Sequence, residues 1–376
     1  MRGPLQKRRD QLFDCLASRG TEKALVTTPT HIQYLTGVRF NPYERFAALF
    51  LDCGPRQSYF ILPRLERGLE CDEIITKVVY EDHDDATVRL LDLLGEWDVL
   101  GVEKDRLNLL LAERILAHGC QKTCRNHPCF EDISGLLWDL RVCKNPEEIE
   151  RIERAVGHGD EILEKISKTI CIGRSQKDIA FDIFQEMSTR SGVSFDSSIV
   201  QVLGGVNSST PHGASGNRQI ERGDPLTIDF GVHYDGYWSD LTRTFFAGPP
   251  DPRFEEIYHL VLRAQQAAID AVRPGIPIRD IDQAARQVIE KAGYGEFFIH
   301  RIGHGTGLDI HEPPSIHKNN PEVLKENMVF TIEPGVYLPS IGGVRIEDDV
   351  VVTGGGARVM SRYPKGYEDM ILPPGK

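Results

Sequence analysis

The chain of 376 residues is long enough for two domains, at about 150 residues per domain. Its 40% hydrophobic and 27% charged residues are ordinary for a globular protein and exclude a largely disordered chain or a fibre. The 44 basic and 56 acidic residues give a net charge of −12, which disfavours nucleic acids and anionic membranes as partners because both require a basic face.

Residues 1–20 predict a helix and not an export signal. They are basic but lack the apolar stretch of about 7–15 residues that a secretory signal needs. Their apolar residues recur at helical spacing: Leu12, Phe13, Leu16 and Ala17. Nowhere does the chain contain the run of about 18 apolar residues that predicts a membrane span. We therefore expect a cytoplasmic protein whose eight cysteines are reduced thiols.

The cysteines crowd into the first half of the chain, and the tightest group is HGCQKTCRNHPC at 118–129. This group is open to two interpretations, a structural zinc site or ordinary thiols near a helix end. The spacings are not those of paired CxxC motifs, so the second interpretation is favoured.

Residues 1–143 predict a small α/β domain. Strand-like runs occur within 23–37, 46–54, 58–63, 77–82 and 98–105, and helical spacing occurs at 86–97 and 109–119. This alternation indicates a sheet covered by helices. A short strand is predicted within 140–144, directly before a strong helix start. There Asn145 is the expected N-cap, Pro146 the first helical residue, and acidic residues fill the first turn. We place the domain boundary between residues 143 and 144.

Residues 144–376 predict an α+β domain. Amphipathic helices are expected at 254–272 and 278–293, whereas 226–248, 328–338 and 344–353 are β-rich. Helices and largely antiparallel strands in separate runs are typical of the α+β class.

An Asp-Gly pair at 235–236 predicts a β-hairpin. If these two residues form the loop, Asp229 faces Thr242 and Gly231 faces Asp240. Side chains repeat every second residue along a strand, so the two aspartates lie diagonally on one face, within reach of a shared ion. Carboxylates this close repel each other unless a cation or a shared proton joins them. The alternative is a pair of solvated aspartates, which the apolar residues around them disfavour.

The segment RIGHGTGLDIHEPPS, at 301–315, holds two histidines, His304 and His311, in a glycine-rich loop that ends in two prolines. It contains no HExxH zinc motif and does not have the glycine spacing of a dinucleotide fingerprint. A single histidine is more often a core residue than a ligand. Two histidines among glycines favour a binding role, because glycine lets the backbone approach a ligand closely.

Two further carboxylates, Glu333 and Glu347, interrupt apolar β-rich runs. A charge in such a run is costly unless it is paired or bound to a metal. Glu347 shares a strand face with Arg345. We expect Asp348 and Asp349, which follow, to form a solvated acidic turn.

These observations combine into one candidate site made of Asp229, Asp240, His304, Glu333 and Glu347. Four carboxylates and one imidazole carry too much negative charge for a site without cations. The set suits two divalent ions such as Mn²⁺, Co²⁺ or Zn²⁺ that share bridging carboxylates. Two ions about 3.5–4 Å apart can hold a bridging hydroxide as the nucleophile.

The order of motifs resembles the family of methionine aminopeptidase, prolidase, aminopeptidase P and creatinase, which has the pita-bread fold. The motifs are STPHG, DFG, SDLTRT, GHGTGLDIHEPP, TIEPGVY and GGVRIEDD, and the resemblance covers the whole chain. In the first half, HIQYLTG, LGVEKD and LRVCKNPEEIE resemble the creatinase-type N-terminal domain, which plain methionine aminopeptidases lack.

The resemblance implies a role for each matching residue. Asp229 holds one metal ion, His304 and Glu333 hold the other, and Asp240 and Glu347 bridge the two. His212 and His311 match the family histidines that contact the scissile amide and its tetrahedral intermediate. Arg345 matches the arginine beside the last ligand. In the chemistry that follows, Glu333 carries the proton from water to the leaving nitrogen.

The family implies a metal-dependent peptidase that cleaves the Xaa-Pro bond of short peptides, most simply with Mn²⁺. It also implies a homodimer in which the N-terminal domain shapes specificity. In strict dipeptidases of the family, an arginine after the HExP segment binds the substrate's carboxylate. This chain has no arginine between His311 and Arg345, only Lys318 and Lys325, which favours an aminopeptidase P-like enzyme acting on longer peptides.

Two other functions stay open at this point. A relative with the same metal site and a different pocket would hydrolyse a cyclic or small non-peptide amide. A non-catalytic binding module on the same fold is disfavoured because none of the five ligand positions is lost. A metal-free creatine hydrolase is disfavoured for the same reason.

Overall fold

The computed structural model describes residues 3–122, 129–194 and 199–373. Its backbone contacts divide the chain into two units, Met1–Arg141 and Val142–Lys376, close to the boundary that the sequence predicts. Most of the cysteine group at 118–129 lies outside the described residues. Among the residues described, no helix has both the length and the apolar character that a membrane span requires.

The first unit is an α/β structure around one mixed sheet. Its strands are β1 (Lys23–Val26), β2 (Ala48–Asp52), β3 (Gln57–Pro63), β4 (Ile75–Tyr80), β5 (Val99–Val102) and β6 (Cys129–Asp132). They form a six-stranded sheet in the order β4-β3-β2-β1-β5-β6. The helices of this part of the chain are α1 (Pro4–Ser18), α2 (Pro29–Thr36), α3 (Ala86–Leu94), α4 (Leu109–Lys122) and α5 (Ser134–Val142).

Two segments that read as strands in the sequence belong to helices. In the β-rich run at 23–37, the second half is helix α2, which has Pro29 in its first turn and ends at Gly37 with a φ of 77°. Proline suits the first turn of a helix and glycine suits its left-handed end, so local punctuation overrides the β-rich composition. The short strand predicted within 140–144 is also wrong, since α5 continues to Val142.

The second unit contains four long helices, α6 (Pro146–Ser167), α7 (Gln176–Ser188), α8 (Pro252–Ala271) and α9 (Arg279–Lys291). The start of α6 is confirmed. The Asn145 side chain accepts a hydrogen bond from the Glu148 amide, and the Glu148 side chain accepts one from the Asn145 amide. This reciprocal capping satisfies two amides that a helix start otherwise leaves unpaired.

Two five-stranded sheets and one two-stranded sheet complete the second unit. The first sheet contains β7 (Val193–Ser194), β8 (Val200–Gly204), β9 (Pro225–Tyr234), β10 (Tyr237–Ala247) and β18 (Ile371–Leu372). The second contains β11 (Gly303–Gly305), β12 (Glu312–Ile316), β13 (Val329–Ile332), β16 (Asp348–Thr353) and β17 (Gly356–Val359). The smallest pairs β14 (Gly335–Leu338) with β15 (Gly342–Arg345). Helices with mainly antiparallel sheets confirm the predicted α+β class.

The hairpin of β9 and β10 has the predicted register. Asp229 pairs with Thr242, and Gly231 pairs with Asp240. The loop at 235–236 has both residues at positive φ, as a tight two-residue turn requires. The two aspartates therefore lie on one face of the hairpin.

The prediction that Asp348 and Asp349 form a solvated turn is wrong. Both are fully buried on β16, which lies between β13 and β17 in the middle of its sheet. Asp348 pairs with Arg243 at 2.7 Å and with Lys365 at 2.5 Å. The Asp349 carboxylate accepts a hydrogen bond from the Asp240 amide at 2.9 Å. Arg243 and Lys365 make burial of the Asp348 charge possible, whereas burial raises the pKa of Asp349 well above its usual range. A local run of acidic residues does not reveal these surroundings.

Arg243 joins the two five-stranded sheets at this point. Its side chain is 0% exposed and binds Asp348. Its guanidinium also donates to four backbone carbonyls, those of Thr242, Glu347, Tyr363 and Pro364. One of these carbonyls belongs to a predicted metal ligand, Glu347. Arg243 therefore stabilises both the contact between the sheets and the position of that ligand.

Arg243→Met should lower the free energy of unfolding by about 3–5 kcal/mol, because it leaves a buried carboxylate and several carbonyls short of their partner. Arg253→Met is the matched control, since the Arg253–Asp251 pair is exposed on both sides. Its loss should be far smaller, because exposed ion pairs contribute little to stability. Urea unfolding measures both variants. Equal losses in the two would contradict the structural role assigned to Arg243.

Candidate metal centre

The five predicted ligands converge on one cavity of about 500 Å³. Asp229 lies on β9 and Asp240 on β10, so the hairpin supplies two of them. The second five-stranded sheet and its flanks supply the others: His304 on β11, Glu333 just after β13, and Glu347 between β15 and β16. Residues more than 100 positions apart therefore meet because two sheets approach each other.

The ligand atoms form two overlapping triads. Asp229, Asp240 and Glu347 make one, and His304, Glu333 and Glu347 make the other, with the ligand atoms of each triad within 4.8 Å of one another. Glu347 belongs to both triads. A third group joins Asp240 to both histidines of the glycine-rich loop, His304 and His311. Asp240 and Glu347 thus each belong to a group with Asp229 and to a group with His304.

Glycine at 303 makes the position of His304 possible. A Cβ at Gly303 would fall 1.9 Å from the backbone oxygen of Thr331. No side chain fits there, so β11 and β13 can come together only at glycine. The Thr331 hydroxyl accepts a hydrogen bond from the His304 amide at 3.2 Å and donates to Glu333 at 3.2 Å. One threonine therefore aligns two ligands on neighbouring strands.

The His304 ring directs a lone pair at carboxylates. Its Nδ1 lies 3.2 Å from the Gly305 carbonyl, which can only accept, so Nδ1 carries the hydrogen. Burial lowers the pKa of His304 well below its usual range, which keeps the ring neutral. Its Nε2 lies 3.4 Å from the Glu333 carboxylate and 3.7 Å from that of Asp240. Three electron-rich groups face one another there.

The carboxylates resist ionisation in the absence of a cation. Burial, followed by the charges of neighbouring carboxylates, raises the pKa of Asp240 and of Glu347 well above the usual range. Burial raises the pKa of Glu333 to about 7, although the Arg345 guanidinium acts in the opposite direction. Burying like charges together has this effect unless positive charge compensates them.

This donor set fits divalent ions. Carboxylate oxygens and a neutral imidazole nitrogen are ligands of Mn²⁺, Co²⁺ and Zn²⁺. A cation between the two triads would relieve the repulsion among the carboxylates and would use the His304 lone pair. Family membership would place two ions here, and the two triads offer donors for both.

Arg345 places a buried guanidinium against the side chain of a candidate ligand. It binds Asp229 at 2.5 Å and donates to the hydroxyls of Thr242 and Tyr337 at 3.2 and 2.9 Å. The Thr242 hydroxyl in turn donates to Glu347 at 2.6 Å. Arg345 therefore orients Asp229 directly and Glu347 through Thr242. Strand β15 ends at Arg345, so the predicted strand face shared with Glu347 is not formed.

The two predicted substrate histidines also line the cavity. His212 lies on the exposed wall, next to Pro211. The His311 ring packs edge-on against His304, with the ring centroids 4.1 Å apart. Because His311 also forms a triad with Asp240 and His304, the geometry permits a second role for it as a metal ligand.

The sequence analysis missed two residues of the cavity wall, His300 and Arg301. His300 Nε2 lies 2.9 Å from the Tyr337 hydroxyl, which continues the hydrogen-bond chain of Arg345. Burial lowers the pKa of His300 to about 3. Arg301 donates to Ser315 at 3.0 Å across the hairpin of β11 and β12. The family pattern concerns arginines that follow His311, so it does not predict a role for Arg301, which precedes His304.

Known proteins similar to this chain are peptidases. A "Putative dipeptidase YkvY" of Bacillus subtilis is 38% identical over 368 residues, which cover 95% of this chain and 97% of the relative. Among solved structures, "Prolidase from Pyrococcus furiosus" has a TM-score of 0.82 at 31% identity, covering 94% of this chain and 99% of that one. The X-Pro aminopeptidase from Thermotoga maritima has a TM-score of 0.84 at 28% identity, covering 97% and 99%.

Family models match both halves of the chain. The Creatinase/Prolidase N-terminal domain matches residues 8–143. The model of metallopeptidase family M24 matches residues 150–354, which contain all five candidate ligands and the other predicted site residues. With its pita-bread catalytic domain and creatinase-type N-terminal domain, this chain belongs to metallopeptidase family M24.

Proposed function

We propose that this protein is a metal-dependent peptidase that hydrolyses the bond between an N-terminal residue and proline in short peptides. The observation that carries the proposal is the pair of overlapping triads, in which buried carboxylates and one neutral imidazole face a cavity lined by two further histidines. Relatives named dipeptidase, prolidase and X-Pro aminopeptidase support the choice of substrate.

Two divalent ions, most simply Mn²⁺, would occupy the centre. Asp229 would hold the first, His304 and Glu333 would hold the second, and Asp240 and Glu347 would bridge them. The position of Glu347 in both triads supports its bridging role. When bound, the ions would activate water as the nucleophile and polarise the scissile carbonyl.

The remaining side chains would handle protons and developing charge. Glu333, a carboxylate of the cavity wall, can accept a proton from the attacking water and pass it to the prolyl nitrogen. That nitrogen is a tertiary amide in the substrate and must be protonated to leave. His311 and His212 can donate hydrogen bonds to the carbonyl oxygen as its charge develops, and such bonds strengthen in the transition state.

Arg301 favours dipeptides as substrates. The lack of an arginine between His311 and Arg345 favours longer peptides. However, Arg301, just before β11, contacts this part of the chain through its hydrogen bond to Ser315 on β12. Arg301 also lines the cavity, and a guanidinium fork binds carboxylates with two parallel hydrogen bonds. A dipeptide has its carboxylate on the proline, directly after the scissile bond. An anchored carboxylate would therefore select Xaa-Pro over longer chains.

A homodimer in the cytoplasm completes the proposal. In it, the N-terminal domain, residues 1–143, would reach over the neighbouring subunit's site and shape specificity, and would leave catalysis to residues 144–376. All the residues assigned to chemistry lie in the second unit, which supports this division. The presence of every predicted ligand also disfavours a non-catalytic binding module.

The protein should bind close to two divalent ions per chain, and chelation should abolish hydrolysis of Xaa-Pro peptides. Asp240→Ala and Glu347→Ala should each lose more bound metal than Asp229→Ala, because a bridging carboxylate serves both ions. Elemental analysis of the dialysed protein measures the metal content. Either bridging variant with two ions and normal turnover would contradict the assignment.

His212→Ala and His311→Ala should each lower kcat by roughly 10²-fold, the usual effect of removing a hydrogen bond made in the transition state. Both should retain two metal ions, since neither residue is assigned as a ligand. Turnover and metal content of the same preparations test this. If His311→Ala instead loses an ion and recovers activity in excess Mn²⁺, its triad with Asp240 and His304 is a metal site.

Arg301→Met should raise KM for Xaa-Pro dipeptides by roughly 10- to 100-fold, the value of hydrogen bonds to a charged group. It should change KM little for the corresponding Xaa-Pro amides, which lack the carboxylate. Lys318→Met, an exposed cation of a neighbouring cavity, is the control and should affect neither substrate. Equal effects of Arg301→Met on acid and amide would refute carboxylate binding.

A further inference from the structure

The loop that carries His311 is built around a buried charge. Strands β11 and β12 pair at Gly305 and Glu312, so residues 306–311 form the loop of their hairpin. The Glu312 side chain, 1% exposed, folds back into this loop and accepts a hydrogen bond from the Asp309 amide at 3.2 Å. A Cβ at Gly307 would lie 2.7 Å from the Glu312 carboxylate, so only glycine leaves room for it.

Lys144 forms a buried ion pair with that carboxylate. Lys144 Nζ lies 2.6 Å from Glu312 Oε1, and its side chain is only 2% exposed. The lysine comes from the segment just before α6, which is 168 residues away in the sequence. Without this cation, the buried Glu312 carboxylate would draw in water or take up a proton, and either change would loosen its hydrogen bond to the loop.

The backbone holds Lys144 firmly in place. Its amide donates to the Asn327 carbonyl at 2.9 Å, and the preceding residue, Cys143, forms a β-bridge with Met328. Asn145, which follows, caps α6. The cation is therefore attached to a long helix on one side and to the start of β13 on the other. Strand β13 leads directly to Glu333, so the lysine links the His311 loop to a ligand-bearing strand.

We infer that Lys144 is a positioning residue for catalysis, and that its buried ion pair with Glu312 holds the loop so that His311 faces the metal centre. Neither side chain lines the cavity, so neither touches substrate. The inference rests on the proposed function for the role of His311, whereas the link from Lys144 to the loop depends on geometry alone.

The test compares Lys144→Met, which removes the charge and keeps most of the side chain, with Lys144→Arg, which keeps the charge. Lys144→Met should lower kcat for Xaa-Pro hydrolysis about tenfold, with little change in KM and with two metal ions still bound. This pattern indicates loss of an interaction made in the transition state. Lys144→Arg should recover most of kcat. The double variant Lys144→Met/Glu312→Gln should exceed Lys144→Met in kcat, because it also removes the buried negative charge that Lys144 compensates.

Hydrogen exchange provides a readout that does not need activity. The amides of Gly307 and Asp309 bond within the loop, and the Trp238 amide bonds to the Gly307 carbonyl at 2.8 Å. These amides should exchange faster in Lys144→Met than in wild type. Ser175→Ala is the control, because it removes the cap of α7 and lowers stability without contact with the loop. It should leave exchange of the three amides and kcat unchanged.

Three results would overturn the inference: wild-type kcat in Lys144→Met, loss of metal that excess Mn²⁺ reverses, or unchanged exchange in the loop. If Lys144→Met does not fold, Glu312→Gln tests the inference in its place. A lower kcat at full metal content would support the inference, and a wild-type kcat would overturn it. If wild-type protein cleaves no Xaa-Pro peptide, the proposed function fails, and hydrogen exchange still tests the link between Lys144 and the loop.

Discussion

Repulsion among buried carboxylates is the constraint on which the rest of the second unit depends. Asp240, Glu333 and Glu347 meet in one cavity, and their raised pKa values show that the protein alone does not compensate their charge. Among the described residues, Arg345 is the one arginine or lysine that forms an ion pair with these ligands, and its partner is Asp229. The protein therefore keeps the site electron-rich and rigid. A site of this kind favours cations over protons near neutral pH, because a divalent ion neutralises several carboxylates at once.

A second layer of polar residues makes this arrangement stable. Hydroxyl groups orient individual ligands, as Thr242 does for Glu347 and Thr331 does for Glu333. Behind them, Arg243 and Asp348 form a buried pair that joins the two five-stranded sheets. Glu347, Glu333 and Asp229 are thus each held by a polar side chain of the surrounding protein. This is the usual way in which proteins fix ligand geometry before a metal arrives.

The cavity wall combines the candidate ligands with other polar side chains. His212, His311 and Arg301 line the same cavity as the carboxylates and offer hydrogen-bond donors there. The donors come from different parts of the chain and depend on different supports. The His311 loop contains the Glu312–Lys144 pair, and Arg301 rests on Ser315. Changes in specificity can therefore arise in the loops without disturbing the ligands, which agrees with a family that contains both dipeptidases and aminopeptidases.

The sequence by itself predicted which candidate ligands meet, and it determined the hairpin register, because a two-residue turn and the alternation of side chains dictate which residues of β9 and β10 share a face. Its motifs also determined the family. Only the tertiary structure decided the rest. Asp348 is buried because Arg243 and Lys365 pair with it, and Asp349 follows it on an inner strand of the sheet. Helix α2 forms although its composition suggests a strand. Arg301 and Lys144 gain their roles from strands and segments that meet across long stretches of chain. Local patterns record the preference of each segment, whereas burial and ion pairing depend on partners that only folding brings together.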